Sequence, residues 1–439
     1  MIAVRQRVSA GTVPWPAEGL TDFLRRFDGR PRFHWEHGET AFAGAGIAAA
    51  IRAEGPDRYD VLRREMADLF AWLVHDAPAV PEAVGPKLFG GFAFAPDEAA
   101  HGPWAPFGGA AFLLPELLLT HHAGEGWLTA LRVIEPEADI DATLAGLRHT
   151  IEAVPAPTPD PAGGPVAWEE GVSRAGWHHM IGTAVERIRG GDLEKVVLSR
   201  ARHLHGDFSV PAVLDDLRER YPGCYRFLIE VGPGQAFLGA TPEVLAATRR
   251  GRLDTVALAG SIARGETPSA DERLGQALLH STKDRHEHAL VVDLLRDALT
   301  PLTTALFIDD EPHLHRLGNI QHLSTPVNGW LEDAVTLLDV VERLHPPPAL
   351  GGHPREAALR LITQLEPHPR GWYAAPVGWI APDGDGLFAV AIRSAVLSGR
   401  EAVLYAGAGI VADSDPGAEW AETGLKFRPM MDALGGESS

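Results

Sequence analysis

Two stretches of this chain place carboxylates at helical spacing, an arrangement able to hold a hard cation. In Ser281-Thr-Lys-Asp-Arg-His-Glu-His288, periodicity predicts one long helix over Glu272–Leu299, with Asp284, Glu287, Val291, Leu294 and Ala298 on a single stripe. Two carboxylates thus continue an apolar face. Burying them is costly unless a cation or strong donors receive them, so the stripe marks either a metal site or the solvated end of the helix. His286 and His288 flank Glu287 but project to different sides, which is not the i, i+4 histidine pair of a zinc protease. A second helix, expected over Glu419–Leu434 after Asp413-Ser-Asp-Pro416, carries Glu419, Glu422 and Lys426 along one face. Acids at a helix start also suit its dipole, so capping is the competing reading there.

Lys195 stands in the otherwise apolar stretch Lys195-Val-Val-Leu-Ser-Arg200, expected to be a strand over Lys195–Arg202. A strand lysine is commonly an edge or snorkelling residue; if it is buried, desolvation makes its neutral amine usable as a base. Glu243 follows a strand and a proline turn, a position that suits a site carboxylate or an ordinary helix-start acid. Gly407-Ala-Gly-Ile-Val-Ala412 and Gly44-Ala-Gly-Ile-Ala-Ala49 superficially fit a dinucleotide fingerprint, but neither sits in a clear βαβ unit. Free N–H groups in the Gly407 segment would still suit a carboxylate.

The elements that must position these residues divide at Val154–Pro165, where proline and glycine interrupt all periodicity. The expected organisation is an N-terminal half, 1–153, a linker, 154–170, and a catalytic half, 171–439. Further strands are expected at Lys87–Phe94, Ala111–Thr120, Tyr225–Val231, Gln235–Ala240, Phe388–Leu397 and Glu401–Ala406, and helices at Tyr59–Leu73 and Trp177–Ile188. Bunched strands with irregularly interspersed helices indicate an α+β class.

With 439 residues, 45% of them hydrophobic, the chain can bury a large core as one unit or two closely packed halves. Its net charge of −20 argues against nucleic acid and anionic membranes as partners, and demands local cations or a metal wherever an anion is to bind. The single cysteine, Cys224, excludes an internal disulfide, and no apolar run suits a signal peptide or a bilayer span. The expectation is a cytoplasmic monomer or weak homo-oligomer.

In order along the chain, KVVLSR, FLGATPE, LAGS, KDRHEH, QHL, LHPPPALGG, RGWYAAPVGW, AIRSA, YAGAGIV and EWAETGLK resemble the chorismate-utilising family of isochorismate, salicylate, anthranilate and aminodeoxychorismate synthases. The likeness covers the whole C-terminal half. KLFGGFAF with the Trp104 and Phe107 region resembles the N-terminal portion more loosely. The resemblance implies large antiparallel sheets in a sandwich-like core flanked by helices, chorismate as substrate and Mg2+ as cofactor. It implies Glu287 and Glu422 as metal ligands, with Asp284 and Glu419 nearby or bridged by water. Arg393, Lys426 and Tyr405 would meet substrate carboxylates, helped by backbone N–H groups of Gly407, Ala408, Gly409 and Gly260. His322 would stand near the reacting ring, Lys195 would activate water, and Glu243 would protonate the departing C4 hydroxyl.

The same resemblance bears on the nucleophile. Anthranilate synthases generally have Gln at the position of Lys195, and aminodeoxychorismate synthases a nucleophilic Lys at that of Ala259. Salicylate synthases tend to have Thr at that of Ala349. Lys195, Ala259 and Ala349 therefore imply an isochorismate synthase, feeding menaquinone or siderophore synthesis. Ser261 replaces a common Thr, and Gly351 a frequent Ser, Cys or Ala. Salicylate formation with loss of pyruvate, and a non-catalytic chorismate-binding homologue, are the alternatives.

Overall fold

The computed structural model describes residues 7–16, 18–96, 101–135, 137–160, 166–316 and 320–436. Within these, the strands form a 13-stranded and a 10-stranded sheet, antiparallel except where Leu73–Asp76 runs parallel to Arg7–Trp15. Aromatic side chains from the two sheets meet between them: Phe33 stacks on Phe89, and Phe42 packs edge-on against Phe89 and Trp379. A second core lies between the larger sheet and helices that include Leu20–Arg25, Val210–Arg220 and Pro416–Ala433. This is the expected α+β class, with helices flanking a two-sheet core.

Both sheets run across the N-terminal and C-terminal portions. Tyr225–Gly232 pairs with Arg32–His37 in the larger sheet, and Pro376–Ile380 with Leu88–Phe92 in the smaller. At the first seam Arg32 and Glu230, both buried, form an ion pair with Nη2 3.2 Å from Oε1. The segment after Val154 leads into a strand, Ala167–Glu170, at the edge of the larger sheet; residues 161–165 lie outside the described residues.

Three expected elements are divided. Ala111–Thr120 is two strands, Ala110–Leu114 in the smaller sheet and Leu117–His122 in the larger, because Pro115 between them has no N–H for a ladder. Phe388–Leu397 likewise splits into Gly386–Val390 and Ser394–Ser398, which belong to different sheets. The crossing ends at Arg393, whose φ of 52° breaks the ladder. The long helix Glu272–Leu299 is Pro268–His280 followed by Thr282–Leu299: the Ser281 hydroxyl accepts from the Asp284 N–H at 3.2 Å and starts a new helix. The helix expected over Tyr59–Leu73 spans Arg58–Phe70, and Leu73 opens the parallel edge strand.

Trp104, fully buried, ties the N-terminal portion to the turn at Gly371. Gly371 has a φ of +54°, and a Cβ there would stand 2.1 Å from the indole Cδ2. Gly371→Ala is expected to lower the unfolding free energy by at least about 2 kcal/mol in denaturant titrations. A loss below about 0.5 kcal/mol would show that the turn can move away from Trp104.

Candidate active site

A second strand pair changes sheets beside the Arg393 crossing. Gln235–Thr241 belongs to the larger sheet and Val244–Arg249 to the smaller, so Pro242 and Glu243 form a corner of their own. The two corners are bonded together. Val390 N–H donates to Glu243 O at 2.9 Å, Ala240 N–H to Arg393 O at 3.1 Å, and the Thr241 hydroxyl to Val390 O at 2.6 Å. Glu243 and Arg393 both line a cavity of about 690 Å3. The Glu243 side chain keeps some accessible surface but is remote from bulk water, and desolvation pushes its carboxyl up to about 7 against the opposing pull of Lys426 and Arg393. Arg393 forms no salt bridge among the described residues; burial lowers its affinity for a proton, and Glu422 is the carboxylate acting on it. A desolvated guanidinium without a counter-ion is suited to receive a carboxylate.

The larger sheet supplies a second wall. Strand Lys195–His205 pairs with Glu401–Ile410, so Gly407 and Gly409 lie beside Lys195 and Val197. Both glycines give room to functional groups: a Cβ on Gly409 would be 3.0 Å from Lys195 Cε, and one on Gly407 3.2 Å from Tyr373 Oη. Lys195 Nζ donates to Glu287 Oε1 at 3.2 Å. Lys426, on helix Pro416–Ala433, donates to Gly407 O at 2.8 Å and pairs with Glu422 at 2.7 Å. Tyr405 stacks on Tyr373 with 5.2 Å between centroids and accepts from Trp104 Nε1–H at 3.0 Å.

On the smaller sheet, Arg252–Ala263 and Ile320–Leu331 pair with a register shift between Ala259 and Ser261, where Gly260 has a φ of 73°. The shift sets Ser261 opposite His322, with 2.6 Å between hydroxyl and Nδ1. Burial, with His315, Arg393 and Lys426 nearby, holds His322 down at about 4, so near neutral pH it acts as an uncharged ring. Helix Thr282–Leu299 closes this side with Glu287, Val291 and Leu294, three members of the stripe seen in the sequence.

The structure therefore brings Lys195, Glu243, His322, Gly260, Ser261, Ala349, Arg393, Tyr405, Gly407, Gly409, Lys426 and Glu287 to one cavity. Asp284, Glu419, Glu422 and Ala408 do not line it. Ala408 alternates with its glycine neighbours and is buried in the core on the other face of the strand. Asp284 packs against Gly260, its Cβ 3.1 Å from where a glycine Cβ would be. Glu422 is held by Lys426, and Glu419 is raised in pKa by burial, with Glu422 adding to it. A different acidic trio, Glu82, Asp383 and Asp385, is the one whose oxygens lie close together among the described residues. It is engaged by Arg250, whose Nε donates to Glu82 at 2.6 Å and whose N–H donates to Asp385 at 2.5 Å, away from the cavity. Tyr373 and Arg370 line the cavity without having been singled out in the sequence, although both lie in the motif RGWYAAPVGW.

A carboxyl whose folded pKa is raised contributes full stability below its unfolded value of 4.5 and loses it as pH rises through about 7. Glu243→Gln removes that loss. Between about pH 5 and about pH 8.5 the variant should gain about 1–3 kcal/mol in unfolding free energy relative to the unsubstituted protein. Parallel stability curves across that range would show an unshifted carboxyl.

Comparison with known proteins gives one consistent answer. The model of the chorismate binding enzyme family matches residues 10–435. A salicylate biosynthesis isochorismate synthase of Pseudomonas aeruginosa is 39% identical over 410 residues, covering 92% of this chain and 85% of the relative. The isochorismate synthase MenF of Bacillus subtilis is 40% identical over 360 residues, 81% and 76% of the two chains. Among solved structures, the menaquinone-specific isochorismate synthase MenF of Escherichia coli superposes with a TM-score of 0.81 at 28% identity, covering 98% of this chain and 95% of that one. With its fold and nearly its whole length matched, this chain belongs to the chorismate-binding enzyme family.

Proposed function

We propose that the chain is an isochorismate synthase: it adds water at C2 of chorismate and releases the C4 hydroxyl. The observation that carries this reading is that a lysine, Lys195, and a carboxyl raised to about 7, Glu243, line one cavity beside an unpaired guanidinium. Arg393 and Lys426 bind the substrate carboxylates, Arg393 through its planar fork. Lys195 in its neutral form takes a proton from water as oxygen bonds to C2. Both ring double bonds shift, and the C4–O bond breaks as Glu243 delivers its proton, so that hydroxide leaves as water. One proton is gained by Lys195 and one lost by Glu243, and exchange with solvent restores both. Each such transfer typically contributes about 10²–10⁴-fold.

Magnesium is expected from the family resemblance, and the residues that would hold it are Glu287 and Glu422, with Asp284 and Glu419 nearby or bridged by water. In this structure Glu287 is paired with Lys195 and Glu422 with Lys426, so each carboxylate would have to leave its lysine to take the ion. When bound there, the ion supplies positive charge toward the substrate's carboxylate, in a chain of net charge −20. Ala349 and Ala259, both at the cavity wall, offer no hydroxyl or amine to the ring, which supports release of isochorismate over pyruvate elimination or amination. The reaction exchanges similar bonds and is reversible, so an enzyme of menaquinone or siderophore synthesis must draw the product away.

Incubation with chorismate and Mg2+ is expected to yield isochorismate without pyruvate, and chelation to abolish turnover. Salicylate with equimolar pyruvate would transfer the chain to the salicylate synthases, and binding without turnover would make it a non-catalytic homologue. Lys195→Ala and Glu243→Gln should each lower kcat by about 10²–10⁴-fold, and unsubstituted kcat should fall above about pH 7 as Glu243 ionises. Full hydration activity in Lys195→Ala would remove it as the base.

A further inference from the structure

Strand Lys195–His205 has one complete and one broken edge. Glu401–Ile410 pairs along one side from Val196 to His205. On the other side Gly352–His353 pairs with Lys195 and Val196 alone, and Ala167–Glu170 begins only at Arg202. Val197 N–H still reaches Gly351 O at 3.0 Å, but the gap leaves Val197 O and Ser199 N–H without a facing strand, and two side chains supply them. Arg370 Nη2 donates to Val197 O at 2.6 Å, and Glu366 Oε1 accepts from Ser199 N–H at 2.6 Å. The pair is itself bidentate, Nε to Oε2 at 2.9 Å and Nη2 to Oε1 at 2.6 Å, with Arg370 fully buried and the Glu366 side chain 3% exposed. The remaining arm of the guanidinium, Nη1, donates to Leu350 O at 2.9 Å, next to Ala349. The guanidinium also lies over the Phe94 ring, 4.3 Å from its centroid.

From this geometry we infer that Arg370, oriented by Glu366, is a positioning residue that sets the base-bearing strand at a fixed distance from the loop carrying Ala349. Lys195 is two residues from Val197, and Ala349 adjoins Leu350, so one rigid planar group spans the two walls between which the nucleophile must fit. A buried ion pair is poor evidence of stabilisation in itself, since a packed apolar pair often does as well. An apolar pair here would orphan Val197 O, Ser199 N–H and Leu350 O at once. Lysine cannot replace the fork, because a single ammonium does not reproduce its fixed, coplanar donors. The inference rests on the proposed role of Lys195 as base.

The test uses the magnesium-loaded full chain with Arg370→Gln, Arg370→Lys and Glu366→Gln. Arg370→Gln is expected to lower kcat for isochorismate by about 10²-fold while KM for chorismate stays within about threefold, with Arg370→Lys in between. Peptides spanning 195–200 and 348–352 should exchange amide hydrogen faster, while those spanning 256–262 keep their protection. In the Lys195→Ala background, Arg370→Gln should cost little more. Glu366→Gln gives the same pattern more weakly and stands in if Arg370 variants fail to fold. Unchanged exchange in both peptides, or kcat and KM altered together, would overturn the inference. If Lys195→Ala retains full activity, the assignment of the base fails, and the exchange data still decide whether Arg370 joins strand to loop.

Discussion

Everything at the site depends on two chain crossings being forced side by side. Strand Gln235–Thr241 pairs with Ser394–Ser398 in the larger sheet, and Val244–Arg249 pairs with Gly386–Val390 in the smaller. With both pairings antiparallel and both connections only a few residues long, the corner at Pro242–Glu243 must face the corner at Ala391–Arg393. The two corners share backbone hydrogen bonds, Val390 N–H to Glu243 O and Ala240 N–H to Arg393 O, and the Ala391 corner is also bonded to the turn at Ala374 and Ala375. The side chains that emerge there line the cavity, surrounded by protein on most sides. A carboxyl so placed is pushed up, and a guanidinium so placed is left wanting an anion. Acid catalyst and substrate anchor are thus two consequences of one topological feature.

The distribution of charge follows. In a strongly acidic chain, Lys195, Lys426 and Arg393 gather at one cavity; the two lysines are matched by Glu287 and Glu422, while Arg393 forms no salt bridge among the described residues. His322, kept uncharged by burial and by His315, Arg393 and Lys426, adds hydrogen-bonding capacity without further charge. The glycines of Glu401–Ile410 serve steric ends: they clear space for Lys195 and Tyr373 within a regular strand.

Much of this was legible in the sequence, and the exceptions have physical causes. The stripe Glu287, Val291 and Leu294 faces the cavity as helical spacing requires. The break before it was passed over, because the periodicity runs on through Ser281-x-x-Asp284, which is nonetheless a helix-start signal. Pro115 announces one sheet change. The Arg393 crossing has no such mark: Ala391, Ile392 and Arg393 read as ordinary strand, and the positive φ is imposed by tertiary pairing. Arg370 escaped notice because its role is to mend a sheet edge whose gap exists only once the strands of both sheets are in place. The Gly407 segment, set aside as a dinucleotide fingerprint for want of a βαβ unit, is continuous strand through Ile410, so its spacing records face alternation and not a phosphate turn.

The central claim is that the crossing of the two sheets desolvates Glu243 enough to keep it protonated near neutral pH. Difference infrared spectroscopy of the unsubstituted protein against Glu243→Gln, titrated across pH, measures this directly. The account predicts a protonated carboxyl band, absent from the variant, that disappears with a midpoint near 7. A midpoint near the ordinary glutamate value of 4.5 would contradict it.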